Sequence, residues 1–315
     1  MGYRLVRSES VPQGLKRIAR EQLASAADEL GKRGSQRAEG IHEARKSIKK
    51  VRAVLRLVRP ELGNTYRKEN VRLRRIGRTL SEFRDATAII QILDTLKEKY
   101  PSELPQSIRR RLVSRRAAAE RQRNVAGVLQ KMAATLRGAE SRVESWPLEM
   151  DGFAGIAPGL EATYRAGREA LERAQEQPRP ENYHELRKRV KDHWYHVRLL
   201  EELWTDVMQG YEKSLKDLET WLGDDHNLVV LGETIQSAPD LYGTPSDVEA
   251  LSGLIAKYQK ELRDNSMSLG QRIYEEKPRL FIQRMKHLWD AWQAEPKSLE
   301  KFEKRQRHPP AGKVA

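Results

Sequence analysis

The segment HEARKSIKK at residues 42–50 recurs later in the chain as HELRKRVKD at residues 184–192. Both copies read His-Glu-x-Arg-Lys-x-(Ile or Val)-Lys. A packed apolar core does not require such a histidine-headed basic cluster, because charged residues are seldom buried without partners. The repeat therefore indicates that both copies contact the same kind of ligand.

The similarity between the two halves of the chain extends well beyond this motif and keeps one register. In each matching pair, the second residue lies 142 positions after the first. The pairs are His42 with His184, Arg45 with Arg187, Lys46 with Lys188, Lys49 with Lys191, Arg56 with Arg198, Arg74 with Lys216 and Leu80 with Leu222. Separate segments that share one register indicate an internal duplication.

The residue pattern predicts an all-α fold. Long stretches rich in Ala, Leu, Arg, Glu and Lys are interrupted by Pro or Gly, and none shows the alternation of a strand. The interruptions predict about four helices before residue 146 and four after it. With the duplication, they favour two up-and-down four-helix bundles related by a pseudo-two-fold axis. The predicted boundaries are 1–145 and 146–295, followed by a basic, disordered tail at 296–315.

The helix that contains the first motif has one apolar and one cationic face. At 100° per residue, His42, Arg45, Lys46, Lys49 and Arg56 fall within an arc of roughly 100°. The apolar residues fall on the opposite side; they are Ala44, Ile48, Val51, Leu55 and Val58. In the second copy, His184, Arg187, Lys188, Lys191 and Arg198 repeat the cationic arc, and Leu186, Val190 and Val197 take the core side.

The positive charge lies in the first half. The chain of 315 residues has a formal net charge of +14, and residues 1–145 hold 34 Lys and Arg against 16 Asp and Glu. Solvated helix faces normally mix charges of both signs, because like charges at i,i+4 weaken a helix. Two more basic helices are predicted at 67–84 and 109–123; on the latter, Arg109, Arg116 and Arg123 recur every seven residues. We expect these stripes to converge into a cationic groove that binds an anionic partner.

Several classes of protein are disfavoured by composition. The chain has no cysteine, which excludes disulfides and thiolate metal sites. Its first residues lack the apolar run of a signal peptide, and no stretch approaches the roughly 20 apolar residues of a membrane helix. We therefore expect a soluble cytoplasmic protein that does not enter a membrane.

The sequence resembles the CHAD (conserved histidine α-helical domain) family. The resemblance is carried by the two His-x-x-Arg-Lys-x-x-Lys helices and by the segments FRDATAI and DDHNLVV, and it extends from about Val11 to about Trp292. It implies two four-helix bundles with a basic pore or channel between them. It also implies binding of inorganic polyphosphate and recruitment to polyphosphate granules, without a cofactor.

The resemblance also implies a set of ligand contacts. The motif residues are His42, Arg45, Lys46, Lys49, His184, Arg187, Lys188 and Lys191. Further basic residues are Arg52, Arg56, Arg74, Arg78 and Arg84 in the first half and Arg165, Arg168, Arg198 and Lys216 in the second; Arg116 joins them from its own stripe. Asp192, Trp194 and His226 depart from the basic residues at the matching first-half positions, which predicts a weaker grip by the second half.

The residues also allow three alternatives to polyphosphate binding. A nucleic-acid or general polyanion-binding protein would bind such a surface at low salt, but the basic arcs lack the aromatic residues on which single-stranded bases stack. A metal site built from His193, His196 and His226 is less favoured, because the motifs do not match His-Glu-x-x-His and cations surround them. An enzyme of phosphoryl transfer would need grouped carboxylates or a Gly-rich phosphate loop, and neither occurs. The sequence thus favours a non-catalytic binding protein, with affinity increased when the motif histidines are protonated.

Overall fold

A computed structural model describes residues 2–83, 85–104, 108–114 and 125–296. In these ranges the regular secondary structure is helical and no strand occurs, as the sequence predicts. The helices of the first half are α1 (Val11–Glu29), α2 (Arg37–Leu57), α3 (Arg59–Leu62), α4 (Asn64–Glu82), α5 (Asp85–Lys99), α6 (108–114) and α7 (Val125–Arg142). Those of the second half are α8 (Ala157–Glu176), α9 (Pro180–Leu199), α10 (Thr205–Gln236), α11 (Pro245–Ile273) and α12 (Pro278–Ala294).

The predicted interruptions fall between helices, but the structure contains two further breaks. One lies at Phe83, between α4 and α5, and the other at the 3₁₀ turn Glu201–Leu203, between α9 and α10. Neither position carries Pro or Gly, so nothing in the local sequence marks it. The expectation of four helices in each half is therefore too low. Within the described ranges, no helix is both long enough and apolar enough to span a bilayer.

The helices pack in two similar series. In the first half α1 packs against α2 and α7, and α2 packs against α4. In the second half α8 packs against α9 and α12, and α9 packs against α10. Helix α11 packs along α10, and α5 of the first half also packs against α10.

The apolar cores do not follow a boundary at residue 145. The larger core joins α1, α2, α4 and α7 with α8, α9, α12 and the first part of α10. The smaller core joins α5 and α6 with the end of α10 and the start of α11; Leu93, Leu96, Leu228 and Leu231 are fully buried or nearly so within it. Each core thus draws on both halves, and the division at residue 145 stays a prediction.

One glycine allows the two halves to approach closely. Gly159 lies in the first turn of α8, and a Cβ there would overlap the backbone carbonyl of Leu57 at the end of α2. Any larger residue would push α8 away from α2. This contact, with that of α2 against α9, sets the two motif helices side by side.

Candidate anion-binding cleft

The two motif helices line a common cavity. It has a volume of about 540 Å³ and lies between α2, α4 and α5 of the first half and α9 and α10 of the second. Its cationic or titratable lining residues are Arg45, Lys49, Arg52, Arg74, Arg78, His184, Arg187, Lys188, Lys191 and His226. Two sequence-distant basic clusters thus face one space, as the duplicated motif predicts.

A second cavity of about 400 Å³ adjoins the first. The two share five basic lining residues, which are Lys49, Arg52, Arg74, Lys188 and Lys191. The second cavity adds Arg56 and Arg189, together with Glu185, Asp192 and Tyr195. We refer to the two adjoining cavities, with these lining residues, as the cleft.

The apolar face of each motif helix fixes the direction of its cations. In α2, Ile48, Val51 and Leu55 are at most 1% exposed, and the predicted core residues of α9 are equally buried. Residues three or four positions apart share a helix face, so burial of one stripe turns the other toward the cleft. The predicted core sides of both helices are confirmed.

Lys49 lines both cavities of the cleft. Its Nζ forms no ion pair with a carboxylate of the described residues; Lys191, Arg45 and Arg187 repel its charge, and Glu219 attracts it more weakly. Burial, reinforced by repulsion from these cations, lowers the pKa of Lys49 well below its ordinary value. The folded protein therefore holds a charged group that an incoming anion would stabilise.

Glu219 is the internal counter-charge of the second half. It projects from α10, is 3% exposed, and its carboxylate contacts Lys191 at 2.5 Å, Lys216 at 3.0 Å and Arg187 at 3.5 Å. Burial favours the protonated form, but the three cations outweigh it and hold the pKa of Glu219 well below its usual range. Glu219 could not be predicted as buried, because the local sequence of an amphipathic helix does not distinguish a single buried glutamate from an exposed one.

Asp192 connects the two halves at the second cavity. Arg56 of α2 donates a hydrogen bond of 3.0 Å to its carboxylate on α9. Burial raises the pKa of Asp192 above its ordinary value, and Arg56 and Arg52 offset only part of this shift. The acid that interrupts the second basic motif therefore pairs with Arg56, a predicted ligand contact that is already occupied in the free protein.

Two histidines meet at the wall of the first cavity. The rings of His184 on α9 and His226 on α10 lie 4.1 Å apart between centroids. Burial and the nearby Lys188 and Arg187 lower the pKa of His184; burial, His184 and Arg187 lower that of His226 to about 4. The sequence did not place His226 among the predicted anion contacts; it named this residue only in the disfavoured alternative of a metal site. The segment DDHNLVV, which matches the arginine-bearing FRDATAI, was the signal that could have identified it.

Several predicted contacts lie outside the cleft lining. Lys46 pairs with Glu43, and Arg198 with Glu212. Arg165 pairs with Glu161 on the exposed side of α8. Lys46 and Arg165 thus pair within their own helices, and Arg198 of α9 pairs with Glu212 of α10.

Three further predicted contacts, Arg168, Lys216 and His42, also lie outside the cleft lining. Arg168 donates hydrogen bonds to the carbonyl oxygens of residues 274–276 after the end of α11, which corrects its assignment as a cleft residue. Lys216 lies over the ring of Trp194 and contacts Glu219. The Nε2 atom of His42 lies 3.8 Å from Glu43 rather than at the cavity wall. Arg84 and Arg116 lie outside the described residues, as does the predicted tail of 296–315 from residue 297 onward.

The structure does not bring together the three histidines of the disfavoured metal-site alternative. His193 lies between the hydroxyl groups of Tyr274 and Tyr211, each 3.3 Å away, and His196 Nε2 donates to the Ala53 carbonyl at 2.9 Å. His226 instead contacts His184. Among the described residues, no group of three His, Asp or Glu side chains could hold a metal ion.

The two buried histidines predict sensitivity to mild acid. Burial lowers the pKa of His193 to about 3 and that of His196 to about 4. The unfolded chain, with a histidine pKa near 6.5, therefore binds protons before the folded protein does, so stability falls as the pH falls through this value. Between pH 7 and pH 6 the free energy of unfolding should decrease by about 1 kcal/mol in urea titrations. The exposed His287, changed to Gln, serves as the control, and a pH-independent unfolding midpoint would contradict the prediction.

Phe, Tyr and Trp rings are nearly absent from the cleft. Apart from the imidazoles of His184 and His226, the first cavity has no aromatic ring among its described lining residues, and the second has Tyr195 alone. Tyr195 is itself 2% exposed and stacks on Trp194 at 4.9 Å between centroids. Proteins that hold single-stranded nucleic acids normally present open aromatic faces to the bases. The cleft instead presents guanidinium and ammonium groups, which bind phosphate oxygens.

Comparison with known proteins identifies one family. The family model described as the CHAD domain matches residues 17–236, which include α2, α4, α9 and α10 and hence most of the cleft. The matched range is shorter than the predicted resemblance, which continued to about Trp292. No curated protein matches the chain significantly.

Proposed function

The chain belongs to the CHAD family, and from the cleft we propose that it binds inorganic polyphosphate there without catalysing a reaction. The observation that carries the proposal is the convergence of basic residues from both motif helices on one space, with Lys49 in no ion pair with a described carboxylate and no Phe, Tyr or Trp ring exposed among the described lining residues. Polyphosphate is a flexible row of anionic phosphates without bases. Such a ligand needs charge and bidentate hydrogen bonds, and it gains nothing from stacking.

We propose further that the chain consists of two four-helix bundles derived by duplication, with the cleft as the basic channel between them. The packing series α7–α1–α2–α4 and α12–α8–α9–α10 supports this, because equivalent helices follow the same order in both. The shared register of the two motifs supports it as well. A duplication explains why one ligand is held from two sides.

Binding without catalysis is supported by the positions of the acidic residues. Glu219 and Asp192 are paired with cations, and Glu185 contacts Lys188 and Arg189. Phosphoryl transfer would require carboxylates placed to hold Mg²⁺ against the phosphates. Incubation of the protein with polyphosphate and Mg²⁺ should therefore release no orthophosphate above a protein-free control.

A competition titration near physiological salt tests the proposal. Labelled long-chain polyphosphate is bound first, and pyrophosphate, single-stranded RNA and duplex DNA are added separately as competitors. Polyphosphate should remain bound in the presence of both nucleic acids, because the cleft presents cations but no open Phe, Tyr or Trp face to a base. Displacement by RNA or DNA at equal phosphate concentration would favour the alternative of a general nucleic-acid-binding protein.

Recruitment to polyphosphate granules is the cellular consequence that we propose. The protein would reach a granule by binding the polymer that forms it, in the cytoplasm. A fluorescent fusion of the full chain should form foci in cells that accumulate polyphosphate and stay diffuse in cells that cannot synthesise it. Foci in both cell types would contradict the proposal.

The His184–His226 pair predicts a pH dependence of binding. The pKa values of both rings lie below the usual range in the free protein, where Arg187 and Lys188 of α9 and Arg78 of α4 are the cations around them. A bound polyanion favours the imidazolium form and raises both pKa values, so binding takes up protons and affinity rises as the pH falls. Each proton taken up increases affinity by up to about tenfold per pH unit.

Isothermal titration calorimetry in buffers of different ionisation enthalpy measures this proton uptake directly. The uptake should decrease when His184 and His226 are changed to Gln and should persist when the exposed His287 is changed. Equal uptake by the double variant and by wild type would assign the protons to other groups.

A further inference from the structure

The outer face of α4 carries cations beyond the two, Arg74 and Arg78, that line the cleft. Six basic residues of this helix are exposed, namely Arg67, Lys68, Arg72, Arg74, Arg75 and Arg78. Arg72 pairs with Glu69, but no carboxylate of the described residues lies within ion-pair distance of the other five. Like charges at i,i+3 and i,i+4, such as Arg74 with Arg78 and Arg75 with Arg78, weaken a helix. A structural role does not account for this arrangement.

This face is continuous with the cleft. Arg74 and Arg78 line the first cavity, and Arg67 lies seven residues before Arg74, which places it within about 20° of Arg74 around the helix. The rise of an α-helix sets Arg67 about 10 Å beyond Arg74 along the axis. Lys68 and Arg75 lie beside this row and are also exposed.

The second half has no equivalent face. At the offset of the internal repeat, Arg67, Lys68 and Arg75 correspond to Gln209, Gly210 and Asp217 on α10. The additional cations are thus not a by-product of the duplication, and they add to the net positive charge of the first half. They extend the cationic surface in one direction only.

We propose that a long polyphosphate chain leaves the cleft past Arg74 and continues along the outer face of α4 over Arg67, Lys68 and Arg75. This inference rests on the proposed function, since it concerns the same ligand. Chains that end within the cleft do not reach the face. The face therefore makes the protein prefer long polyphosphate over short polyphosphate.

The test compares two ligands on two variants. In the α4 variant, Arg67, Lys68 and Arg75 are changed to Ala; none of the three lines the cleft, and Ala favours the helix. In the control variant, three exposed cations distant from the cleft lining, Arg173, Arg272 and Arg279, are changed to Ala. Dissociation constants are measured for long-chain polyphosphate and for tripolyphosphate.

The α4 variant should bind long-chain polyphosphate about tenfold more weakly, a change of about 1.4 kcal/mol. Its affinity for tripolyphosphate should stay within about twofold of wild type, and the control variant should bind both ligands like wild type. The slope of log K against log salt for the long chain should decrease by about 2, at roughly 0.7 per lost contact.

Other results would overturn the inference. An unchanged affinity for the long chain, an equal loss of tripolyphosphate binding, or an equal loss in the control variant would each show that the face is not a path for the chain. A loss of RNA binding alone would identify it as a nucleic-acid surface. If wild type binds neither polyphosphate, the proposed function itself is wrong.

Discussion

A variant with Ala at Lys49, Arg78 and Lys188 is expected to bind polyphosphate about a hundredfold more weakly than wild type. The three side chains line the cleft from α2, α4 and α9 and so contact the ligand from both halves. Each charge-assisted contact contributes about 1 kcal/mol or more, and 1.4 kcal/mol corresponds to a factor of ten. Fluorescence anisotropy with labelled long-chain polyphosphate measures the change.

The variant should fold normally. Lys49 has no acidic partner among the described residues, and Glu185 retains Arg189 when Lys188 is removed. Removal of the half-buried Lys49 should even raise the thermal midpoint, because it removes a charge whose desolvation, together with repulsion from neighbouring cations, lowers the pKa of this lysine. The control is the triple variant at Arg173, Arg272 and Arg279, which loses the same charge away from the cleft. Equal weakening of the two variants would show that net charge, not the cleft, determines affinity.

The change of Glu219 to Gln should lower the free energy of unfolding by about 3 kcal/mol in the absence of ligand. Glutamine keeps the size of the side chain but removes the charge that compensates Lys191, Lys216 and Arg187. Uncompensated charges in a partly buried cluster are strongly destabilising. Because the pKa of Glu219 lies below its usual range, its contribution is present near pH 7 and is lost only when the pH falls through that low value.

Urea unfolding with and without tripolyphosphate measures this effect. Bound phosphate should restore more stability to the Glu219 variant than to wild type, because it replaces the missing negative charge. Glu161→Gln is the matched control, since its ion pair with Arg165 lies on an exposed helix face, where such pairs contribute about 0–1 kcal/mol. Equal unfolding midpoints for the Glu219 variant and this control would show that Glu219 does not stabilise the cluster.

Lys49 and Glu219 show that the two halves treat their basic residues differently. The first half holds an unpaired cation in the cleft, and the second half neutralises its cations with one internal carboxylate. We expect the unpaired cation to lower the stability of the free protein and to increase its affinity for an anion. This agrees with the weaker grip that the sequence predicts for the second half.

Much of the cleft could be predicted from local sequence. Arg45, Lys49, Arg187 and Lys191 were identified because a helix that buries one apolar stripe must turn the other side outward. For the arginines of α8, this argument does not predict whether they face the cleft. Arg168 cannot be told from a cleft arginine by its local sequence. It lies beside the end of α11, where the carbonyl groups of the residues that follow the helix accept its hydrogen bonds.

The amino-acid sequence by itself determined the helices, their apolar faces and the repetition of the basic motif, because these depend on residues within a few turns of one another. Only the tertiary structure decided which basic residues share a space. The approach of α8 to α2 at Gly159, the pairing of Asp192 with Arg56, and the meeting of His184 and His226 join residues far apart in the chain. Such contacts depend on how packed helices are placed against each other, and no local pattern encodes that placement.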